Sequence, residues 1–239
     1  MKFALKVGYR LIDTASMYGN EREVGMAVRE SGLPREEVFI TTKLWNSDHG
    51  YDRAVRACER SLKLLDLDHI DLYLIHWPVT GLRKETWDAF VALRREGKCR
   101  SIGVSNYTVR HLQELMSNSS VVPSVNQVEF HPFLYQKELL QFCTKKNIAL
   151  EAYRPLMRGH KLNHSVLLDV AQKYSRTPAQ IMIRWGLQHG LIIIPKSIKS
   201  ERIVENSQVF DFVISEGDMA TLDALNEDLR TDWDPTDEP

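Results

Sequence analysis

Short β-rich runs alternate with amphipathic helical patterns along the whole chain, and this alternation restricts the fold more than any other feature. Strands are expected at 9–13, 38–43, 70–76, 101–105, 124–130, 148–153 and 191–195. Between them, segments such as NEREVGMAVRE, DRAVRACERSLKLL, KETWDAFVALRREG and PAQIMIRWGLQH space apolar residues at i, i+3 and i+4, with charge on the opposite face. Thr108 and Thr177-Pro178 stand where helices should start, and Gly97 and Gly190 where they should stop. Strands separated by helices pair in parallel through right-handed crossovers, which leaves a doubly wound open sheet or a (β/α)8 barrel. A pitch of about 30 residues, and no Gly-rich phosphate loop after the first strand, favour the α/β barrel.

Seven strands are one short of that barrel. The opening MKFALKVGYR reads as the last turns of an amphipathic helix, without the small-residue cleavage pattern of a signal peptide. The expectation is therefore a (β/α)8 barrel lacking its N-terminal hairpin and first strand. The strands ending at Asp13 and Ile194 would then expose unpaired edges, and activity would be weakened or absent. Strand exchange between chains is one way to close the gap; a monomer is expected otherwise. No linker interrupts the pattern, so residues 1–239 are taken as one domain, with TDWDPTDEP as a surface extension.

Composition narrows the partners. With 31 basic and 32 acidic side chains the formal charge is −1, and no global field draws the chain to nucleic acid or anionic lipid. No apolar run approaches the roughly 20 residues of a membrane span. Cys58, Cys99 and Cys143 are far apart in sequence, which argues against a disulfide framework or a zinc site and fits a reducing, cytoplasmic setting.

The C-terminal ends of barrel strands carry the chemistry. Here the first strand ends on Asp13, the second on Lys43 and the third on His76, and Tyr18 lies in the loop after the first. Any one of these would suit a solvated rim. Together they form a set in which each polar group follows an apolar run, and Asp13 and Lys43 supply each other's charge partner. An ammonium beside a phenol favours the phenolate, and a carboxylate holds the ammonium. Such a tyrosine can protonate a carbonyl oxygen as hydride reaches its carbon, with a histidine orienting that oxygen.

DTASMYGNE, TTKLW and LIHWP resemble the signatures of the aldo-keto reductases, NADP-dependent carbonyl reductases built on a (β/α)8 barrel. The resemblance runs to about residue 213 and implies Asp13, Tyr18, Lys43 and His76 as the catalytic tetrad. It further implies reduction of aldehydes and ketones to alcohols with NADPH/NADP as cofactor. In GVSNY, Ser105 and Asn106 would bond the nicotinamide carboxamide, although a Ser-Asn after a strand suits a helix cap equally well. Gln127 would be the third carboxamide partner, and Tyr153 would stack on the ring or cap the core. Asp13, Arg154 and Leu156 complete the implied cofactor contacts. Arg154 replaces the serine common in the family, which leaves its phosphate contact open.

IIIPKSIKSERIVENSQVFDF matches the family's adenosine-phosphate pattern. Lys196, Ser197 and Arg202 would hold the 2′-phosphate, and Glu205 and Asn206 the adenine. His131-Pro132 reads as structural. Trp45 and Trp77 flank the catalytic residues and, with Tyr18 and His76, would wall an open site for a small-molecule carbonyl. A catalytically impaired NADP(H)-binding protein and a truncated product without a role of its own are the alternatives.

Overall fold

The computed structural model describes residues 1–238. Seven strands form, each within a few residues of its expected place: β1 Leu11–Asp13, β2 Phe39–Leu44, β3 Ile70–Ile75, β4 Cys99–Ser105, β5 Val125–Glu129, β6 Ala149–Tyr153 and β7 Ile192–Ile193. The helices are α1 Lys2–Val7, α2 Glu21–Arg29, α3 Tyr51–Leu65, α4 Arg83–Arg95, α5 Val109–Ser117, α6 Lys137–Lys145, α7 Ser165–Lys173, α8 Pro178–Gln188, α9 Ser200–Ser207 and α10 Glu216–Asp223. Two compact units result: Met1–Asn126 with the last residues from Pro235 on, and Gln127–Asp234.

In the first unit β1, β2, β3 and β4 are parallel neighbours in chain order. Every residue of β3 is buried, as a parallel strand covered on both faces requires. Helix α3 turns Ala54, Ala57, Cys58, Ser61 and Leu65 inward, one stripe at helical spacing. Helix α2 lies so close that a Cβ on Gly25 would come within 1.9 Å of the Leu65 carbonyl oxygen. Behind the sheet the buried thiols of Cys58 and Cys99 meet, Sγ to Sγ 3.7 Å. Their separation in sequence concealed the contact.

Helix α5 opens on a capping box: Thr108 takes the His111 backbone N–H, and His111 Nδ1 accepts the Thr108 N–H at 3.2 Å. With Nδ1 accepting, Nε2 donates, and it does so to the Glu238 carbonyl at 2.9 Å. The chain terminus is thus held by α5.

In the second unit β6 pairs in parallel with β7, Glu151 opposite Ile192 and Ala152 opposite Ile193. Helix α8 starts at Pro178 behind a Thr177–Gln180 capping box, as its sequence signals. Residues 231–232, expected to be part of a surface extension, are anchored. The Thr231 N–H reaches both oxygens of Glu129 at 3.0 Å, and the Asp232 N–H reaches one at 3.2 Å. Glu129 is 1% exposed. Burial works against its carboxylate, but hydrogen bonds from His131 and Thr231 outweigh that and hold its pKa below the ordinary range. Among the described residues no helix is long and apolar enough to cross a membrane.

Candidate active site

Strand β2 sends alternate side chains to opposite faces. Thr42 points toward α2, where its hydroxyl donates to Glu21 Oε1 at 2.6 Å. Lys43 points the other way and is fully buried. Its ammonium donates to Asp13 Oδ1 at 2.5 Å and to the Thr14 carbonyl at 2.9 Å. In register Asp13 stands beside Thr41, one pleat repeat before Lys43 and on the same face of β2. Strand β2 runs one residue past Lys43, to Leu44, and His76 follows directly after β3.

Tyr18 closes a single 3-10 turn, Ser16–Tyr18, that Gly19 ends at φ 65°. Its side chain is half exposed, and the Lys43 Nζ lies 5.2 Å from the ring centroid. The His76 ring meets Tyr18 edge-on at 5.9 Å and Trp45 edge-on at 5.2 Å. Burial, and then the Lys43 charge, push the His76 pKa down to about 3, so the imidazole is neutral near pH 7. Its Nδ1 has no partner among the described residues. The four expected catalytic residues therefore share one site in the first unit, with Trp45 half-buried beside it and Trp77 buried.

Ser105 ends β4, and Asn106 follows at φ 63°, a left-handed conformation that asparagine tolerates better than most residues. The Asn106 amide donates to the His76 carbonyl at 3.0 Å and to Ser105 Oγ at 3.2 Å. The helix cap is Thr108, not this pair.

The remaining expected cofactor residues lie in the second unit. Gln127 on β5 donates to Glu151 Oε1 on β6 at 2.8 Å, a buried partner that sequence alone did not single out. Tyr153 ends β6, and burial pushes its phenol pKa up. Arg154, at φ 49°, pairs with Asp232 Oδ2 at 2.8 Å and donates to the Thr231 carbonyl. Its guanidinium lies 5.9 Å from the Tyr153 ring centroid. Leu156 is half-buried in the following loop. Beyond β7, Lys196 and Arg202 are exposed and have no ion-pair partner among the described residues, and Ser197 lies beside Lys196. Arg202, Glu205 and Asn206 share one face of α9. Glu205 accepts the Thr177 hydroxyl at 2.6 Å, and Asn206 is 5% exposed.

A Lys–Asp pair, a tyrosine above the ammonium and a neutral histidine thus stand together at the ends of consecutive parallel strands. The family model described as "Aldo/keto reductase family" matches residues 1–227, and the chain belongs to that family, with its (β/α)8 fold class. It is 52% identical over 235 residues to "Glyoxal reductase" of Bacillus subtilis (strain 168), covering 98% of this chain and 85% of that protein. "Methylglyoxal reductase DkgA" of Escherichia coli (strain K12) is 45% identical over 236 residues, covering 97% of this chain and 85% of its own. A crystal structure of a Gox0644 mutant in complex with NADPH superimposes with a TM-score of 0.93 at 46% identity, covering 99% of this chain and 87% of that one.

Proposed function

We propose that this chain reduces small aldehydes and ketones, α-dicarbonyls among them, to alcohols with NADPH. The observation that carries the reading is the fully buried Lys43 ammonium, bound to Asp13 at 2.5 Å and lying 5.2 Å from the centre of the Tyr18 ring. When bound, NADPH supplies the hydride that the carbonyl carbon receives. Tyr18 then donates its phenolic proton to the carbonyl oxygen. The phenolate left behind lies beside the Lys43 charge, and Asp13 keeps that charge in place. His76, neutral at working pH, donates an N–H to the same oxygen and fixes its direction. Trp45 and Trp77 supply the apolar wall.

The donor set suits the cofactor's dinucleotide phosphate. Lys196 and Arg202, exposed and free of ion pairs among the described residues, together with Ser197 match a 2′-phosphate, which favours NADPH over NADH. Glu205 and Asn206 would face the adenine, and Ser105, Asn106 and Gln127 the carboxamide, with Tyr153 as the stacking ring. Asp13 and Leu156 complete the set. Arg154 would have to leave Asp232 to reach a phosphate, so on this reading its main bond is to the chain end. The relatives named for glyoxal and methylglyoxal direct the choice of test substrate. A single domain over residues 1–239 is supported by the family model running across both units. A cytoplasmic setting fits three buried cysteines, none of them in a disulfide.

NADPH oxidation with methylglyoxal tests the reading. The wild-type chain should turn over, and Tyr18→Phe should lose at least about 100-fold in kcat while binding NADPH normally by fluorescence. Undiminished turnover in that variant would remove Tyr18 from its role. NADPH binding without turnover in the wild type would favour a binding protein instead.

A further inference from the structure

On the helix side of β2, opposite Lys43, the first unit holds a half-open pocket of about 260 Å³. Its walls include Glu21 from the start of α2 and Ser61 from α3, with Trp45, Met17, Ala57 and Leu64 supplying apolar surface. Neither Tyr18 nor His76 lines it, whereas Trp45, whose indole meets the His76 ring, does.

Glu21 is 2% exposed, and its only hydrogen bond among the described residues is the Thr42 hydroxyl on Oε1, at 2.6 Å. No cation pairs with it there. The one nearby arginine on the pocket wall, Arg60, is bound instead to Asp48 Oδ1 at 2.8 Å. The α2 N-terminus offsets part of the negative charge, but a helix end supplies only about half a unit charge. Ser61, 1% exposed, also lines this space. A buried carboxylate without a counter-charge and a serine thus border the same space, beside an indole. Buried charges are ordinarily paired, and an indole attracts a cation.

We propose that this pocket binds a small organic ammonium ion. The ammonium would take Glu21 as counter-ion and donate to Ser61, and its carbon chain would lie against Trp45, Met17 and Leu64. The pocket has room for several non-hydrogen atoms, since one water molecule occupies about 30 Å³. Because the Trp45 ring also meets His76, an occupant would contact the wall of the catalytic site without entering it.

Isothermal titration of the full chain with n-butylammonium chloride, against n-butanol and sodium chloride at equal ionic strength, tests the proposal. One butylammonium per chain should bind at least tenfold more tightly than butanol. Glu21→Gln should bring the two affinities within about twofold of each other. Leu64→Trp, a change at a partly exposed wall residue that should not disturb folding, should weaken butylammonium at least tenfold while the thermal melt stays cooperative. Tyr18→Phe should leave butylammonium affinity unchanged, which separates this pocket from the catalytic site. Equal affinity for butanol, unaltered binding in folded Glu21→Gln or Leu64→Trp, loss of binding in Tyr18→Phe, or no butylammonium binding by the wild type would each overturn it.

Discussion

Lys43 holds a positive charge with no side-chain exposure, so the oxygens of Asp13 and Thr14 are what make that charge tolerable. Removing one partner of a buried pair strands the other. Asp13→Asn should therefore lower unfolding free energy by about 3 kcal/mol, read from urea titration, and depress turnover as well. A variant as stable as the parent would mean that the remaining partners of Lys43 suffice. His76 leads to a prediction of a different kind. With a pKa near 3 it carries no proton to lose near neutrality, so the pH profile of kcat/KM should show no imidazole inflection between about pH 5 and about pH 8. An inflection near 6.5 that disappears in His76→Gln would contradict this. These residues were legible in the sequence because each follows a short apolar run, and adjacent strands bring the runs together. Glu129 was not legible, because its main partner Thr231 lies 102 positions away and no local pattern announces it. Arg154 was noticed as unusual, yet its bond to Asp232 depends on where the chain end lies.

Among the elements, the tightest constraint is the crossing of α2 and α3 at Gly25. The atom that a Cβ would strike is the backbone oxygen of Leu65, which cannot rotate aside. Gly25→Ala should push the helices apart and cost about 1–3 kcal/mol in a denaturant melt, despite alanine's better helix propensity. A neutral or stabilising result would show that the helices slide freely. Helix starts at Thr108 and Thr177 were readable from their caps, although a histidine in the reciprocal capping role is not a pattern that composition suggests. The last strand was the poorest match. LIIIP reads as five strand residues, whereas the ladder with β6 spans only Ile192 and Ile193, and neither is fully buried. An apolar run marks where a strand can form, but only the residues that find ladder partners, here Ile192 and Ile193 against β6, become one.

For the molecule as a whole, two buried imidazoles contribute to the response to acid. Burial, then the Arg53 charge, lowers the His49 pKa to about 4, and His76 lies near 3. Both groups bind protons more readily once unfolded, where their pKa is about 6.5. The unfolded chain therefore gains protons first as pH falls below that value. Stability should drop through this window and level off only below the folded pKa values. At about pH 5 each imidazole should cost roughly 2 kcal/mol relative to about pH 7, measured by urea unfolding at both; equal stabilities would refute the assignment. The thiols offer a different use of the same interior. Cys58, Cys99 and Cys143 are all buried, and the Cys99 thiol is pushed up in pKa by its hydrogen bond to Cys58 and by burial. A reagent that reacts only with exposed thiolate finds none on the native chain. Its slow colour change then times how often the interior opens, so the chain carries its own unfolding clock with no label added.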